Sequence, residues 1–260
     1  MNNSALRTFT HRVLPPVVLL VGLLAILQLV IVVAEIPPFL MPSPVTIGQQ
    51  FAEFFPVISG ATIVTGTNAL IGLVIGSLIG LVAAVIAAFI KVFDELLAPL
   101  VAMIAVVPIV ALAPVLYTMF GAGSEVSRVI VAAIAVFVPV FINSLRGLRQ
   151  VRPVQRDLMH AYAASGWQTA RVVTIPSAVP FVVTGLRIAS SLAVISAIVA
   201  EYFGGPKSGI GSLITSAAAG SNYARAWAFV LGAIVLGLIF FTATLIIEKI
   251  ATRHRPATAR

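Results

Sequence analysis

The sequence predicts an all-α integral membrane protein with about six transmembrane helices. Three observations carry that prediction. The 260-residue chain is 60% hydrophobic and 9% charged, with a mean hydropathy of +1.12. A soluble domain carries about 25% charged residues, so most of this surface must face lipid. The apolar residues also fall in runs of the roughly 20 residues that a helix needs to cross hydrocarbon. Finally, the basic residues divide unevenly between alternate connections, as they do where positive charge sets topology. No low-complexity stretch or soluble unit interrupts the pattern, and residues 1–260 read as a single transmembrane domain.

The spans are expected at about 13–35, 61–90, 96–119, 126–145, 179–203 and 226–250. Arg7, His11 and Arg12 precede the first, whose apolar run from Val13 to Ala34 is 22 residues long. A signal-peptide core is about 7–15 residues, so this reads as an uncleaved span. The second span contains Gly72, Gly76, Gly80, Ala84 and Ala88 at every fourth position. Such a stripe lets helix backbones approach closely, within the chain or at a subunit interface. The third carries Pro99, Pro108 and Pro114, each of which removes a backbone donor and bends a helix. Bends of this kind survive in lipid where neighbouring helices satisfy the freed carbonyls, which places this span inside a bundle. With the N-terminus in the cytoplasm, 12 of the 16 Lys and Arg residues lie in inside segments. Only Arg128, Lys207 and Arg225 lie outside, and Arg187 falls near the inner end of the fifth span.

Several chemistries are excluded. The chain has no cysteine, hence no disulfide, thiolate metal site or cysteine nucleophile. His11, His160 and His254 are scattered, with no spacing that gathers metal ligands, and no phosphate-cradling glycine loop, HExxH or serine elbow is present. No catalytic residue, metal site or cofactor is therefore expected. The net charge of +8 is assigned to topology, because no basic cluster is interleaved with aromatics as in nucleic-acid binding.

The exception to the apolar pattern is the inside connection 146–178, with RDLMHAYAASGWQTARVVTIPSAVP at Arg156–Pro180. Pro153 suits a first helical turn and Asp157 lies near that turn, where the helix dipole favours an acid. A short helix is expected through Ala164, interrupted by Gly166. A second piece, Trp167 to Thr174, is expected to end before Pro176. The apolar residues here are too few to span and too many for a solvated linker. The residues alone leave two readings open: a helix inserted in a partner's cleft, or a helix lying on anionic headgroups.

The stretch resembles the EAA loop of permease subunits in bacterial ABC importers. Anchored on Pro176, that motif places Ile175 and Val173 at its aliphatic positions, Ala163 at its glycine and Asp157 at its glutamate, with Leu158 and Met159 where it has two alanines. MPSPVTI (Met41–Ile47), PIVALAPVLYTMFGAG (Pro108–Gly123), FVPVFINSLRGLRQVRP (Phe137–Pro153) and WQTARVVTIPSAVPFVVTGLRIA are similar, in order, to segments of the taurine, nitrate and aliphatic-sulfonate permeases. The resemblance covers roughly Met41 to Ile250.

It implies a type I ABC importer permease fold in the bacterial cytoplasmic membrane, with both termini inside. It also implies cytoplasmic ATPase subunits, an extracytoplasmic solute-binding protein and a second permease copy or related chain. Asp157, Leu158, Ala161, Ala163, Ala164, Ser165, Gly166, Trp167 and Pro176 would form the coupling segment, with Asp157 capping it, the alanines keeping it slim and Trp167 as an anchor. The solute would be a small organic molecule of the taurine, sulfonate, nitrate or pyrimidine-precursor class; no buried arginine clamp argues for an anion, and the AEYFGG wording at Ala200–Gly205 gives a slight lean to a neutral or heterocyclic solute. Gly204, Gly205, Pro206, Gly209 and Gly211 prevent a continuous helix after the fifth span. Glu201, Gly204, Gly205 and Asn143 are the gate or substrate-path candidates. For Glu201 headgroup solvation is the competing reading, and for Asn143 and Gln28 it is interhelical hydrogen bonding. An ion-coupled carrier is the alternative function. It is disfavoured because all eight acids fall at span ends or in connections, and no inverted repeat is visible. A membrane enzyme lacks a convergent polar constellation. A non-transporting scaffold would not need the broken third span.

Overall fold

The computed structural model describes residues 3–121 and 123–253, with side chains described from Leu14 and not at Val110. His11 and the N-terminal Arg7 and Arg12 therefore lie outside the described side chains, and His254, Arg255 and Arg260 outside the described residues. The helices run in the order α1 (Asn3–Val33), α2 (Pro44–Glu53), α3 (Phe55–Phe89), α4 (Lys91–Val106), α5 (Ile109–Phe120), α6 (Val126–Arg149), α7 (Pro153–Ala161), α8 (Gly166–Thr169), α9 (Ile175–Phe203), α10 (Ile210–Ala219) and α11 (Tyr223–Thr252). Among the described residues, five stretches are long and apolar enough to cross a membrane, and the bent α4–α5 pair, counted as one span, makes a sixth.

That pair is where the broken third span was expected. It is not one helix but two, bent by 100°. The break falls at Val107 and Pro108, both extended. Pro108 has no N–H to continue the ladder and disfavours helical geometry at the residue before it. Pro99 and Pro114 sit inside their helices and do not break them. The second span also starts earlier than expected. Phe54 ends α2, and α3 begins at Phe55. Helix α2 was not anticipated, although its signal is local: Ser43 Oγ accepts from Thr46 N at 3.2 Å, and Pro44 takes the first helical position.

The centre of the bundle is α3, α6 and α9. Ala69 and Leu73 of α3, Val136 and Val140 of α6, and Ala189, Ala193 and Ala197 of α9 form one buried cluster, closed by Leu236 of α11. Lipid tails are as apolar as leucine, so close van der Waals packing rather than hydrophobicity holds such helices together. The glycine stripe supplies that packing within the chain. A Cβ at Gly72 or Gly76 would meet α6 at Ala132 or Val136, and one at Gly80 would lie 3.0 Å from Phe137 O. Ala84 is fully buried, while the next buried position is Ala87 rather than Ala88. Helix α1 leaves most of its residues from Leu14 to Val33 exposed and touches α2 through Gln28 Oε1, which accepts from Val45 N at 3.2 Å.

At the basic end, two ion pairs tie helices together. Arg149 of α6 pairs with Asp94 of α4, and Arg187 of α9 with Glu248 of α11, each at 2.8 Å.

Candidate functional site

At the basic end, α7 begins at Pro153 as expected, but Asp157 does not cap it. Asp157 is the fifth residue of the helix, and Gln155 Oε1 accepts from Arg152 N at 3.3 Å in the capping role. The interruption also falls earlier than Gly166. Helix α7 ends in a Schellman motif, in which Ala164 N donates to Met159 O (3.0 Å) and Ala163 N to His160 O (2.9 Å). Ala163 takes the left-handed conformation that this motif requires, with φ +50°. That conformation favours glycine, and Ala163 is the position at which the EAA-type frame has one.

Gly166 instead opens α8. Ser165 Oγ accepts from Gln168 N at 3.3 Å, and Gln168 Oε1 accepts from Ser165 N at 2.7 Å, a reciprocal capping box. The second helical piece does not end before Pro176. It passes through a π turn, Ala170–Thr174, straight into α9, so Gly166–Phe203 is one 38-residue helical rod. Pro176, directly after the π turn, and Pro180 both lie within this rod.

No residue of α7 is buried. Val154, Leu158 and Tyr162 recur at every fourth position and are 76%, 53% and 75% exposed, and Trp167 beyond them is 70% exposed. Ala161, like Ala163, is exposed, and Ala164 is half-buried. Trp167 edges an apolar notch of about 330 Å³ with Val85 and Phe89 of α3, Leu148 of α6, and Ile175. Beside it, the basic end carries Arg146, Arg149, Arg152, Arg156 and Arg171. An apolar stripe with an aromatic end and a basic surround fits a partner's cleft or a headgroup layer.

At the opposite end, Glu201 is not solvated as the competing headgroup reading required. It is 1% exposed. Thr65 Oγ1 of α3 lies 2.9 Å from both carboxylate oxygens, and Gly211 N of α10 donates to Oε2 at 2.9 Å. Arg128 of α6, fully buried, lies 3.6 Å from Oε1 and also donates to Pro206 O. The arginine assigned to an outside connection is thus a buried counter-charge, and the chain does contain a buried arginine. Sequence reasoning missed both Arg128 and Thr65. The available signal was an acid and a base at the same end of the fifth and fourth spans. Gly204 to Gly209 break the chain as expected, but Gly211 lies inside α10. Gly205 has φ +92°, and a Cβ there would meet the ring of Tyr117, whose Oη donates to Ala200 O at 3.2 Å.

Asn143 lies away from both ends. Its Nδ2 donates to Pro139 O of its own helix at 2.8 Å, an intrahelical bond and not the expected interhelical one. It lines an apolar groove of about 450 Å³ between the α4–α5 break, α6 and Leu192 of α9. Among the described residues, no group of acids and histidines could hold a metal ion.

Comparison with known proteins agrees with this architecture. Residues 76–255 match the family described as binding-protein-dependent transport system inner membrane component. The riboflavin transport system permease protein RibX of Chloroflexus aurantiacus is 36% identical over 217 residues, covering 82% of this chain and 80% of that one. The formylaminopyrimidine transport permease protein ThiX of Halalkalibacterium halodurans is 30% identical, covering 64% and 67%. A putative aliphatic sulfonates transport permease protein, SsuC of Escherichia coli, is 33% identical, covering 76% and 75%. The crystal structure of an amino acid ABC transporter with histidines shares the fold, with a TM-score of 0.59 at 19% identity, over 78% of this chain and 94% of that one.

Proposed function

Since the chain belongs to the family of binding-protein-dependent transport system inner membrane components, and is a permease subunit of an ABC importer, we propose that its 153–176 segment is where a cytoplasmic ATPase docks. As a permease it is a transport subunit and not an enzyme, and it works with an ATPase and a substrate-binding protein. The observation that carries the docking reading is the exposed stripe Val154, Leu158, Tyr162 and Trp167 on a helix with no buried residue. Leaving such side chains in water is unfavourable by about 25 cal/mol per Å², which a cleft would recover. The left-handed Ala163 at the motif's glycine position supports the same reading. On it, Leu158 and Trp167 enter the cleft, Ala161, Ala163 and Ala164 keep the turn slim, and Ser165 with Gly166 fix the angle of α8. Asp157 then serves as a surface contact, and Pro176 starts the spanning part of the rod.

The whole chain, 1–260, acts as one domain with the basic end and both termini in the cytoplasm, paired with a second permease copy or a related chain. The groove beside Asn143 then faces the solute path. The solute is a small organic molecule, and the relatives named for riboflavin and formylaminopyrimidine transport favour a heterocycle.

Co-purification from detergent tests the docking. The wild-type chain retains its ATPase, and Leu158→Asp with Trp167→Ala releases it while still inserting and folding. Equal retention by that variant would assign the stripe to the headgroup layer.

A further inference from the structure

Helix α10 has ten residues, about 15 Å, too short to cross hydrocarbon of about 30 Å. Its first turn therefore ends among other helices, where bare amides are costly. Two of those amides are taken by different helices. Ile210 N donates to Thr65 Oγ1 of α3 and Gly211 N to Glu201 Oε2 of α9, both at 2.9 Å. Arg128 of α6 supplies the counter-charge. The approach is closed to side chains: a Cβ at Gly209 would meet the Glu201 carboxylate, and one at Gly211 would meet Ile198 O. Ile210, fully buried, packs with Ile58, Ala61 and Phe229 beneath this turn. Glu201 also lies near the far end of the 38-residue rod that begins at Gly166, about 53 Å away along the helix.

We propose that Glu201, Thr65 and Arg128 form a positioning clamp that fixes α10 to the end of this rod. Displacement at the Trp167 end then carries α10 as part of the bundle, and α10 does not open separately as a flap. The cause of that displacement rests on the ATPase-docking reading above, whereas the clamp itself does not.

The chain has no cysteine, so Ser212→Cys places one thiol on α10 at a site 6% exposed. It is reacted with a membrane-impermeant maleimide in proteoliposomes. Two clamp variants are compared in that chain. Arg128→Met with Glu201→Gln removes both charges and keeps an acceptor for the Gly211 amide. Arg128→Met with Glu201→Ala removes the acceptor too. The Gln form is expected to label as slowly as the intact clamp, and the Ala form at least ~10-fold faster, because local opening is all that separates them. With ATPase and binding protein added, binding-protein-stimulated hydrolysis is lost in the Ala form and kept in the Gln form, while both retain the ATPase. Equal labelling in the two forms overturns the clamp. Faster labelling with stimulation intact overturns its part in transmission. Loss of the ATPase from the Ser212→Cys chain itself overturns the docking reading, and the labelling comparison still decides the clamp. If the Gln form does not fold, Thr65→Ser against Thr65→Val makes the same comparison at the Ile210 amide.

Discussion

Ala163 holds a conformation that costs an L-residue about 1–2 kcal/mol and glycine almost nothing. Ala163→Gly should stabilise the α7–α8 turn by about 1 kcal/mol, seen as amide exchange across 153–165 slowed ~5-fold. Faster exchange would mean that the turn is not held as described. The Glu201–Arg128 pair has the opposite sign. Removing one member strands a buried charge, so Glu201→Ala alone should cost about 3–5 kcal/mol, read as a lower melting temperature in detergent. Restoring neutrality with Arg128→Met should recover much of that loss. The two residues were legible only as isolated charges at span ends, because nothing local to either reports that α6 and α9 bring them together. The dipole argument for Asp157 failed for a comparable reason. It took Asp157 as near enough to the start at Pro153, but Asp157 is the fifth helical residue, past the first turn, and Gln155 was already in place to cap.

The stripe on α3 was readable at the level of the element because period-four glycines have one main use, close approach, and the structure supplies the partner in α6. Gly76→Leu should therefore separate α3 from α6 and destabilise the protein by about 1–3 kcal/mol or more, measured by thermal unfolding in detergent. Gly22→Leu on α1, with no atom near its added Cβ, should change little. The prolines were harder to read. Pro108 breaks its span by 100°, Pro99 and Pro114 bend nothing sharply, and Pro176 lies within a rod it was expected to terminate. Proline forbids a donor at one position. Whether the chain turns there depends on which helix passes alongside, and that is tertiary information. The π turn at Ala170–Thr174 has no sequence signature in the segment either, and it lets α8 run unbroken into α9.

For the whole molecule, spans and family were legible because lipid constrains length and composition so strongly. The segment after the fifth span was legible as broken, yet not as a clamped helix, since its glycines serve approach to Glu201 as well as flexibility. The direction we propose for the molecule rests on its charge: Arg146, Arg149, Arg152, Arg156 and Arg171 gather at the end opposite α10, the end proposed to be cytoplasmic. Docking and direction meet in one measurement. A photo-crosslinker is attached to the thiol of Trp167→Cys or of Ser221→Cys, in membranes containing the ATPase. The account predicts a crosslink to the ATPase from position 167, and none from position 221 at the α10 tip. A crosslink from 221, or labelling of 167 by an impermeant reagent from the outer face, would contradict it.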